Sequence, residues 1–167
     1  MEHEVTKVLS SISNSFTFLA QSARGLSGGL AIGWNQSTII CSNSWGAPFG
    51  MGIQVFWVKA NLSLNILNIY GPCNNTVAFW EALQTSPLLR SENVVIGGDV
   101  NFTLGDHEIS GPRERVDPLA KFFINLLQNI KMVDLDPQKI KQTWTNRRSG
   151  EDRIAKSLTN FSWLKVF

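Results

Sequence analysis

The segment VVIGGDVN (94–101) is the most informative stretch of the sequence, because an apolar run ends in two glycines and two polar residues. A short apolar run of this kind, bounded by glycine, is typical of a buried strand. On an extended backbone Asp99 and Asn101 would follow that strand and project to the same face. A carboxylate beside a carboxamide can activate water and orient an anionic oxygen. The other interpretation is an ordinary turn, which Asp and Asn commonly form after a strand.

A second polar group lies at the end of an earlier strand, in NIYGP (68–72). The sequence predicts a hairpin of Gln54–Lys59 and Leu62–Tyr70, and Gly71-Pro72 would end it. Tyr70 would then stand at the strand end, where its hydroxyl can face a cleft. The alternative is that Tyr70 is a half-buried aromatic residue with a packing role.

A third group, TWTNRR (143–148), combines an aromatic side chain with polar and basic ones. Trp144, Asn146 and Arg147 could stack on or clamp a nucleic-acid strand. The segment Lys139–Phe167 carries seven basic and two acidic residues in a chain whose formal net charge is only +2. This basic segment permits a phosphate-backbone partner, although a sheet edge with a basic turn would have the same composition.

The remaining pattern favours mixed sheets with helices outside rather than a doubly wound parallel sheet, because strands outnumber helices and short turns join several of them. A helix is predicted from Asp117, a favourable N-cap before Pro118, with its apolar residues on one core-facing stripe. Other elements are predicted at Phe16–Ala20, Leu30–Trp34, Thr38–Cys41, Asn93–Ile96, Thr143–Thr145 and Ile154–Leu164 (strands), Thr76–Gln84 (helix) and Trp45–Gly52 (loop).

Composition limits the class of protein. The chain has 167 residues, of which 43% are hydrophobic and 17% charged. This length suits one domain, and the abundance of large apolar residues excludes a disordered chain. The sequence contains no apolar run long enough for a transmembrane helix, no secretory signal and no cysteine pattern typical of a zinc site or a disulfide framework.

Taken in order, these motifs resemble the endonuclease/exonuclease/phosphatase superfamily, and they are most similar to the apurinic-endonuclease-like domain of plant LINE-type (non-LTR) retrotransposons. The resemblance covers nearly the whole chain. The matching segments are SGGLAIGW (27–34), NIYGP (68–72), VVIGGDVN (94–101) and TWTNRRSGEDRIAK (143–156), with the trailing Leu158 and Phe161.

The resemblance implies an α/β, DNase I-like fold: a four-layer sandwich of two mixed β-sheets flanked by helices. It implies hydrolysis of phosphodiesters with a divalent metal, usually Mg²⁺, and nicking of DNA. Asp99 matches the residue that activates or orients the attacking water, Asn101 its partner on the phosphate oxygens, and Tyr70 a contact to the scissile phosphate. Trp144 and Asn146 match the region that lines the DNA groove.

The sequence also departs from the family. The family's metal-binding Glu lies in a Glu-Thr-Lys motif, for which Glu4 in Glu4-Val5-Thr6-Lys7 is the nearest candidate. Ser157-Leu158-Thr159 stands where the family has Arg-Leu-Asp, and Thr cannot stabilise an imidazolium as that Asp does. The family's Ser-Asp-His motif is not found, and His107 lies in a polar loop. We therefore expect residues 1–167 to be a single domain that is incomplete at both ends and of marginal stability.

Three functions remain compatible with the sequence. One is a metal-dependent DNA endonuclease with reduced or absent activity, and another is a non-catalytic retrotransposon remnant that at most binds nucleic acid. A third is hydrolysis of lipid phosphodiesters, which no amphipathic membrane-binding helix supports. DNA is the expected partner, no protein partner can be inferred, and a nuclear location would follow only from the DNA substrate.

Overall fold

The computed structural model of the chain describes residues 7–9, 11, 13–22, 29–112, 116–135, 142–157 and 159–165, the last of these by their backbone. The strands are β1 (Phe16–Gln21), β2 (Leu30–Asn35), β3 (Ile39–Ala47), β4 (Gly50–Trp57), β5 (Leu62–Tyr70), β6 (Val94–Asp99), β7 (Ile109–Ser110), β8 (Val133–Asp134), β9 (Trp144–Thr145), β10 (Ala155–Lys156) and β11 (Thr159–Lys165). The α-helices that are described over their whole length are α1 (Thr76–Thr85), α2 (Pro87–Arg90) and α3 (Ala120–Asn129).

A six-stranded mixed sheet in the order β3-β4-β5-β6-β11-β8 forms the centre of the fold. Its strands pair antiparallel except for β5 and β6, which run parallel. A parallel pair needs a crossover connection, and here α1 and α2 provide it. The predicted mixed sheet with helices outside is confirmed, and the sheet is open.

Helices α1 and α3 cover one face of this sheet. The rings of Phe102 and Phe123 stack with their centroids 3.4 Å apart, and Trp80 meets both edge-on at 5.4 and 5.8 Å. The predicted apolar stripe of α3 faces this core, which also contains the sheet residues Leu67, Ile69, Val94 and Ile96. Because Phe102 is buried here, the backbone just after Asn101 is fixed to the core.

The hairpin of β1 and β2 packs on the opposite face. Ile32 joins a second buried cluster with Met51, Ile53, Val55 and Leu64. Asn68 donates a hydrogen bond from Nδ2 to the Ala31 carbonyl oxygen at 3.0 Å, which links the hairpin to β5. A third, three-stranded sheet has the order β7-β10-β9. In the part of the chain that the structure describes, the strands outside the six-stranded sheet therefore form two separate small sheets.

The prediction of a loop at Trp45–Gly52 is wrong. Strand β3 continues to Ala47 and β4 begins at Gly50. Trp45 and Gly52 are register partners, and a Cβ atom on Gly52 would lie 2.2 Å from the Trp45 ring. Gly52 therefore allows close packing against Trp45 within the sheet and does not mark an irregular loop.

Two predicted boundaries also shift. Helix α3 begins at Ala120 rather than Pro118, and Asp117 Oδ1 accepts the Leu119 N–H at 3.0 Å in the turn before it. The predicted strand Ile154–Leu164 is divided into β10 and β11. Between them the Ser157 N–H donates to the Glu108 carbonyl at 2.9 Å, so the chain leaves one sheet for the other at this point. No helix in the described residues is long and apolar enough to cross a membrane.

Candidate active site at the ends of the parallel strands

Tyr70 and Asp99 lie side by side. They are the final residues of β5 and β6 and are register partners in the parallel ladder. Neighbouring strands in a sheet lie about 4.8 Å apart, so the two side chains leave the sheet at one place. Tyr70 and Asp99 are both half-buried. The order of motifs along the chain thus becomes a spatial cluster.

Two glycines allow the backbone to come close at this edge. Gly98 has φ 126°, and a Cβ atom there would lie 2.1 Å from the Ile69 carbonyl oxygen. A Cβ atom on Gly71 would lie 2.3 Å from the Val100 carbonyl oxygen, and the Gly71 N–H donates to the Asp99 carbonyl at 2.6 Å. The segments after Tyr70 and after Asp99 are therefore held together by main-chain contacts that only glycine permits.

Asn101 does not continue an extended strand, so the geometric basis for placing it on the same face as Asp99 is wrong. Its φ is 59°, in the left-handed region that Asn tolerates better than most residues. The Asn101 N–H donates to Asp99 Oδ1 at 3.3 Å, which is the local turn bond typical of Asp. Asn101 Nδ2 donates to the Gly71 carbonyl oxygen. The turn nevertheless ties the Asn101 backbone to the Asp99 carboxylate and the Asn101 carboxamide to Gly71, the residue after Tyr70.

Burial raises the pKa of the Asp99 carboxyl above its ordinary value of 3.8, and the hydrogen bond from the Asn101 N–H partly opposes this shift. A carboxylate that is partly withdrawn from water is a stronger base and a better partner for a cation. Both properties suit a group that takes a proton from water beside a phosphate.

The β9–β10 hairpin carries the predicted nucleic-acid-binding residues. Trp144 is 44% exposed, and Arg147 is exposed with φ 57°. The Asn146 side chain is engaged within the hairpin: Nδ2 donates to the Asp152 carbonyl at 2.7 Å, and Oδ1 accepts the N–H groups of Arg148 and Ile154 at 3.2 and 3.1 Å. Asn146 thus shapes the loop that presents the arginines.

The hairpin lies close to Asp99 along the backbone. Lys156 pairs with Trp144, and three residues later Thr159 is the register partner of Asp99 in the β11–β6 ladder. Three residues span at most about 11 Å. The structure therefore brings the end of the hairpin at Lys156 and Trp144 and the cluster of Tyr70, Asp99 and Asn101 to one region, with the arginine loop at the far end of the hairpin.

A metal site made by protein ligands alone does not form among the described residues, where no group of three or more His, Cys, Asp or Glu side chains is close enough together. Mg²⁺, however, commonly binds through one or two carboxylates together with substrate phosphates and water. Asp99 fits such a role as a single protein ligand. Glu4 lies outside the described residues, and the side chain of His107 is 54% exposed, with Nδ1 3.8 Å from Asp106 Oδ1.

The sequence did not indicate the contribution of Gly71, whose carbonyl accepts the Asn101 amide, or the wider contacts of Asp117. Asp117 Oδ2 accepts the Thr103 N–H at 3.3 Å and lies 3.5 Å from Lys156 Nζ. An Asp-Pro pair predicts a helix start, and that local signal contains no information about a partner on a distant strand.

Comparison with known proteins identifies the fold. No model of a known protein family matches the sequence, and no curated protein matches it. The endonuclease domain of TRAS1, a telomere-specific non-LTR retrotransposon, is similar to this chain with a TM-score of 0.64 and 10% identity, over 93% of this chain and 68% of that domain.

Two further solved structures share the fold. TDP2 of D. rerio, complexed with single-strand DNA product, has a TM-score of 0.57 and 12% identity over 99% of this chain and 68% of that one. ANGEL2, a 2',3'-cyclic phosphatase, has a TM-score of 0.54 and 11% identity over 98% of this chain and 66% of that one. The predicted DNase I-like fold class is therefore confirmed as the fold of endonuclease/exonuclease/phosphatase proteins.

Proposed function

We propose that this chain is a DNA phosphodiesterase domain whose hydrolytic site is formed by Asp99, Asn101 and Tyr70. The observation that carries this proposal is the pairing of Tyr70 with Asp99 at the ends of the parallel strands, with Asn101 hydrogen-bonded to Asp99. The similarity to solved structures of phosphate-processing proteins and to a retrotransposon endonuclease domain supports it. A relationship to plant LINE-type retrotransposons remains a prediction.

In the proposed reaction Asp99 accepts a proton from the water that attacks phosphorus. Asp99 is placed for this role by its position at the end of β6, beside Tyr70. The Asn101 amide and the Tyr70 hydroxyl donate hydrogen bonds to the nonbridging oxygens of the phosphate. Attack breaks the bond between phosphorus and the 3′ oxygen, so the products are a 3′-hydroxyl and a 5′-phosphate.

Asp99 would hold a Mg²⁺ ion, whose charge would offset the negative charge of the transition state. The leaving oxygen takes its proton from solvent in this scheme, because His107 is the one histidine among the described residues and lies on an exposed loop. A positioned general acid typically contributes about 10²- to 10⁴-fold. We therefore propose turnover well below that of an enzyme with a complete set of catalytic groups.

The β9–β10 hairpin would hold the DNA. Arg147 and Arg148 are exposed on this hairpin and Trp144 is partly exposed beside them. Arginine contacts to phosphates position a duplex without reading its sequence, and an aromatic ring can stack on an unpaired base. DNA is favoured over a lipid phosphodiester by the similarity of the fold to a retrotransposon endonuclease domain, and competition between DNA and phosphoinositide vesicles would separate the two substrates.

Cleavage of an end-labelled DNA duplex tests the proposal. The wild-type chain with Mg²⁺ should yield fragments that end in a 3′-hydroxyl, and chelation of the metal or Asp99→Ala should abolish them. Asp106→Ala is the matched control, because it removes a carboxylate whose side chain is 83% exposed. Equal cleavage by Asp99→Ala and Asp106→Ala would contradict the proposal.

A second candidate function is DNA binding without cleavage. It is favoured by the register of Thr159 with Asp99, because Thr159 stands where the family resemblance implies a carboxylate that supports a histidine. This candidate predicts salt-sensitive DNA binding that Asp99→Ala leaves unchanged, with no cleavage by any variant.

A further inference from the structure

The carboxylate of Asp117 contacts three separate parts of the molecule. Its Oδ2 accepts the Thr103 N–H at 3.3 Å and the Thr103 hydroxyl at 3.5 Å, and its Oδ1 accepts the Leu119 N–H at 3.0 Å. Lys156 Nζ lies 3.5 Å from Oδ2. Asp117 therefore connects the loop after β6, the turn before α3 and strand β10.

The contact with Thr103 acts on the candidate active site. Thr103 is fully buried and follows Asn101 by two residues, with the buried ring of Phe102 between them. Asn101 is held in a left-handed conformation. The direction of its side-chain amide therefore depends on the positions of the residues that follow it. A shift of Thr103 would rotate the Asn101 turn.

The contact with Lys156 reaches the hairpin. Lys156 is the register partner of Trp144, and its carbonyl accepts the Thr143 N–H at 2.9 Å. The Lys156 and Asp117 side chains are only 26% and 10% exposed. Removal of one member of a pair this well shielded leaves the other charge poorly solvated and unpaired.

We propose that Asp117 is a positioning residue, paired with Lys156, that holds the Asn101 turn and the β9–β10 hairpin in a fixed relation. The catalytic part of this inference rests on the proposed function, and the structural part does not. The pair would align the phosphate held by the hairpin with the groups that hydrolyse it. Displacement of a reacting group by about 1 Å can reduce turnover about 10²-fold.

Kinetics of DNA cleavage test the catalytic part with Asp117→Asn and Lys156→Gln, under conditions where thermal melts show every variant folded. Each should lower kcat about tenfold with little change in KM. The double variant should be no slower than either single one, since contacting residues show coupling. Asp106→Asn, at an exposed position, is the matched control for loss of a carboxylate and should retain wild-type kcat.

Two kinetic outcomes would overturn the proposal. Wild-type kcat in both single variants would show that the pair only stabilises the fold. A raised KM and a weaker salt dependence in Lys156→Gln, with kcat unchanged, would make Lys156 a direct phosphate contact.

Hydrogen exchange of the Asn101 backbone N–H, followed by NMR, tests the structural part without any activity. Lys156→Gln should accelerate exchange at Asn101 at least about tenfold, although Lys156 is not hydrogen-bonded to that residue in the structure, and Asp106→Asn should not. Unchanged exchange at Asn101 would overturn the coupling. If the wild-type chain fails to cleave DNA but exchange responds as expected, the proposed function fails while the coupling of the two segments stands.

Discussion

Tyr70 and Asp99 are register partners at the carboxyl ends of β5 and β6, the one parallel pair in the sheets described here. Each strand ends where its neighbour ends, so a tyrosine hydroxyl and a carboxylate lie at one edge although a helical crossover separates them along the chain. In the left-handed Asn101 turn the backbone N–H donates to Asp99, and the carboxamide donates to the carbonyl of Gly71, the residue after Tyr70. The site thus depends on the topology of the sheet as much as on its three residues.

The first prediction concerns the glycine beneath this edge. Gly98→Ala would place a Cβ atom 2.1 Å from the Ile69 carbonyl oxygen at a φ of 126°. Overpacking of this kind costs about 1–3 kcal/mol, and the left-handed backbone adds about 1 kcal/mol more. Urea denaturation should therefore show a loss of several kcal/mol.

Gly150→Ala is the matched control for Gly98→Ala. Gly150 also has a positive φ, 66°, but no atom beyond its two chain neighbours lies within 4 Å of its Cβ position. The Gly150→Ala variant should lose only about 1 kcal/mol of unfolding free energy. Equal losses of unfolding free energy in the two variants would mean that the backbone segments at Ile69 and Gly98 are not as close as described.

The second prediction is that Asp99→Asn stabilises the fold at neutral pH and abolishes activity. Burial raises the Asp99 pKa above 3.8 in the folded state, so the folded chain holds the proton more tightly than the unfolded chain. Stability contributed by this group therefore falls as pH rises from 3.8 through the raised pKa. Asparagine avoids the buried charge and can still accept the Asn101 N–H.

Denaturant melts of Asp99→Asn and wild type at neutral and at acidic pH test the predicted direction of the stability change. The free energy of unfolding of the variant should exceed that of the wild type at neutral pH, and the difference should shrink toward zero below 3.8, where Asp99 is protonated in both states. A variant less stable than wild type at neutral pH would contradict this prediction. It would show that the interactions of the ionised Asp99 carboxylate stabilise the fold by more than its burial costs.

The third prediction distinguishes the role of the Asn101 backbone conformation from the role of its side-chain amide. Both Asn101→Ala and Asn101→Gly remove the hydrogen bond to the Gly71 carbonyl, and both should lose most activity. Only the alanine variant also strains the φ of 59°, so it should be about 1 kcal/mol less stable than the glycine variant. Thermal melts measure that difference, and equal stability would argue against a left-handed turn.

The fourth prediction concerns Arg147 as a phosphate contact. Arg147→Gly should weaken DNA binding and reduce the slope of log affinity against log salt by about 0.9. The same variant relieves a φ of 57°, so the fold should gain up to about 1 kcal/mol. Binding is followed by fluorescence anisotropy at several salt concentrations.

Lys59→Ala provides the control for Arg147→Gly. Lys59 is exposed in the turn between β4 and β5, at the opposite end of the sheet from Tyr70. Its removal should leave the salt slope unchanged. If both variants reduce the slope alike, DNA binding depends on overall charge and not on the hairpin.

Much of this arrangement could be predicted from the sequence, because the strands around Tyr70 and Asp99 carry strong local signals and the order of motifs is distinctive. The left-handed turn at Asn101 could not, since Asp-Val-Asn is compatible with both an extended strand and a turn. The sequence does not reveal the strand pairing of Trp45 with Gly52, because glycine suggests a loop when its partner across the sheet is unknown. The pairing of Asp117 with Lys156 depends on tertiary structure, to which a local pattern gives no access.

The most direct test of the central claim is to follow DNA cleavage in water enriched in heavy oxygen and to analyse the products by mass spectrometry. The account predicts that wild type with Mg²⁺ incorporates solvent oxygen into the 5′-phosphate, and that Asp99→Asn, purified identically and at least as stable, incorporates at least about 10²-fold less. Equal incorporation by the two proteins, or none by the wild type, would contradict the assignment of a hydrolytic site to Asp99, Asn101 and Tyr70.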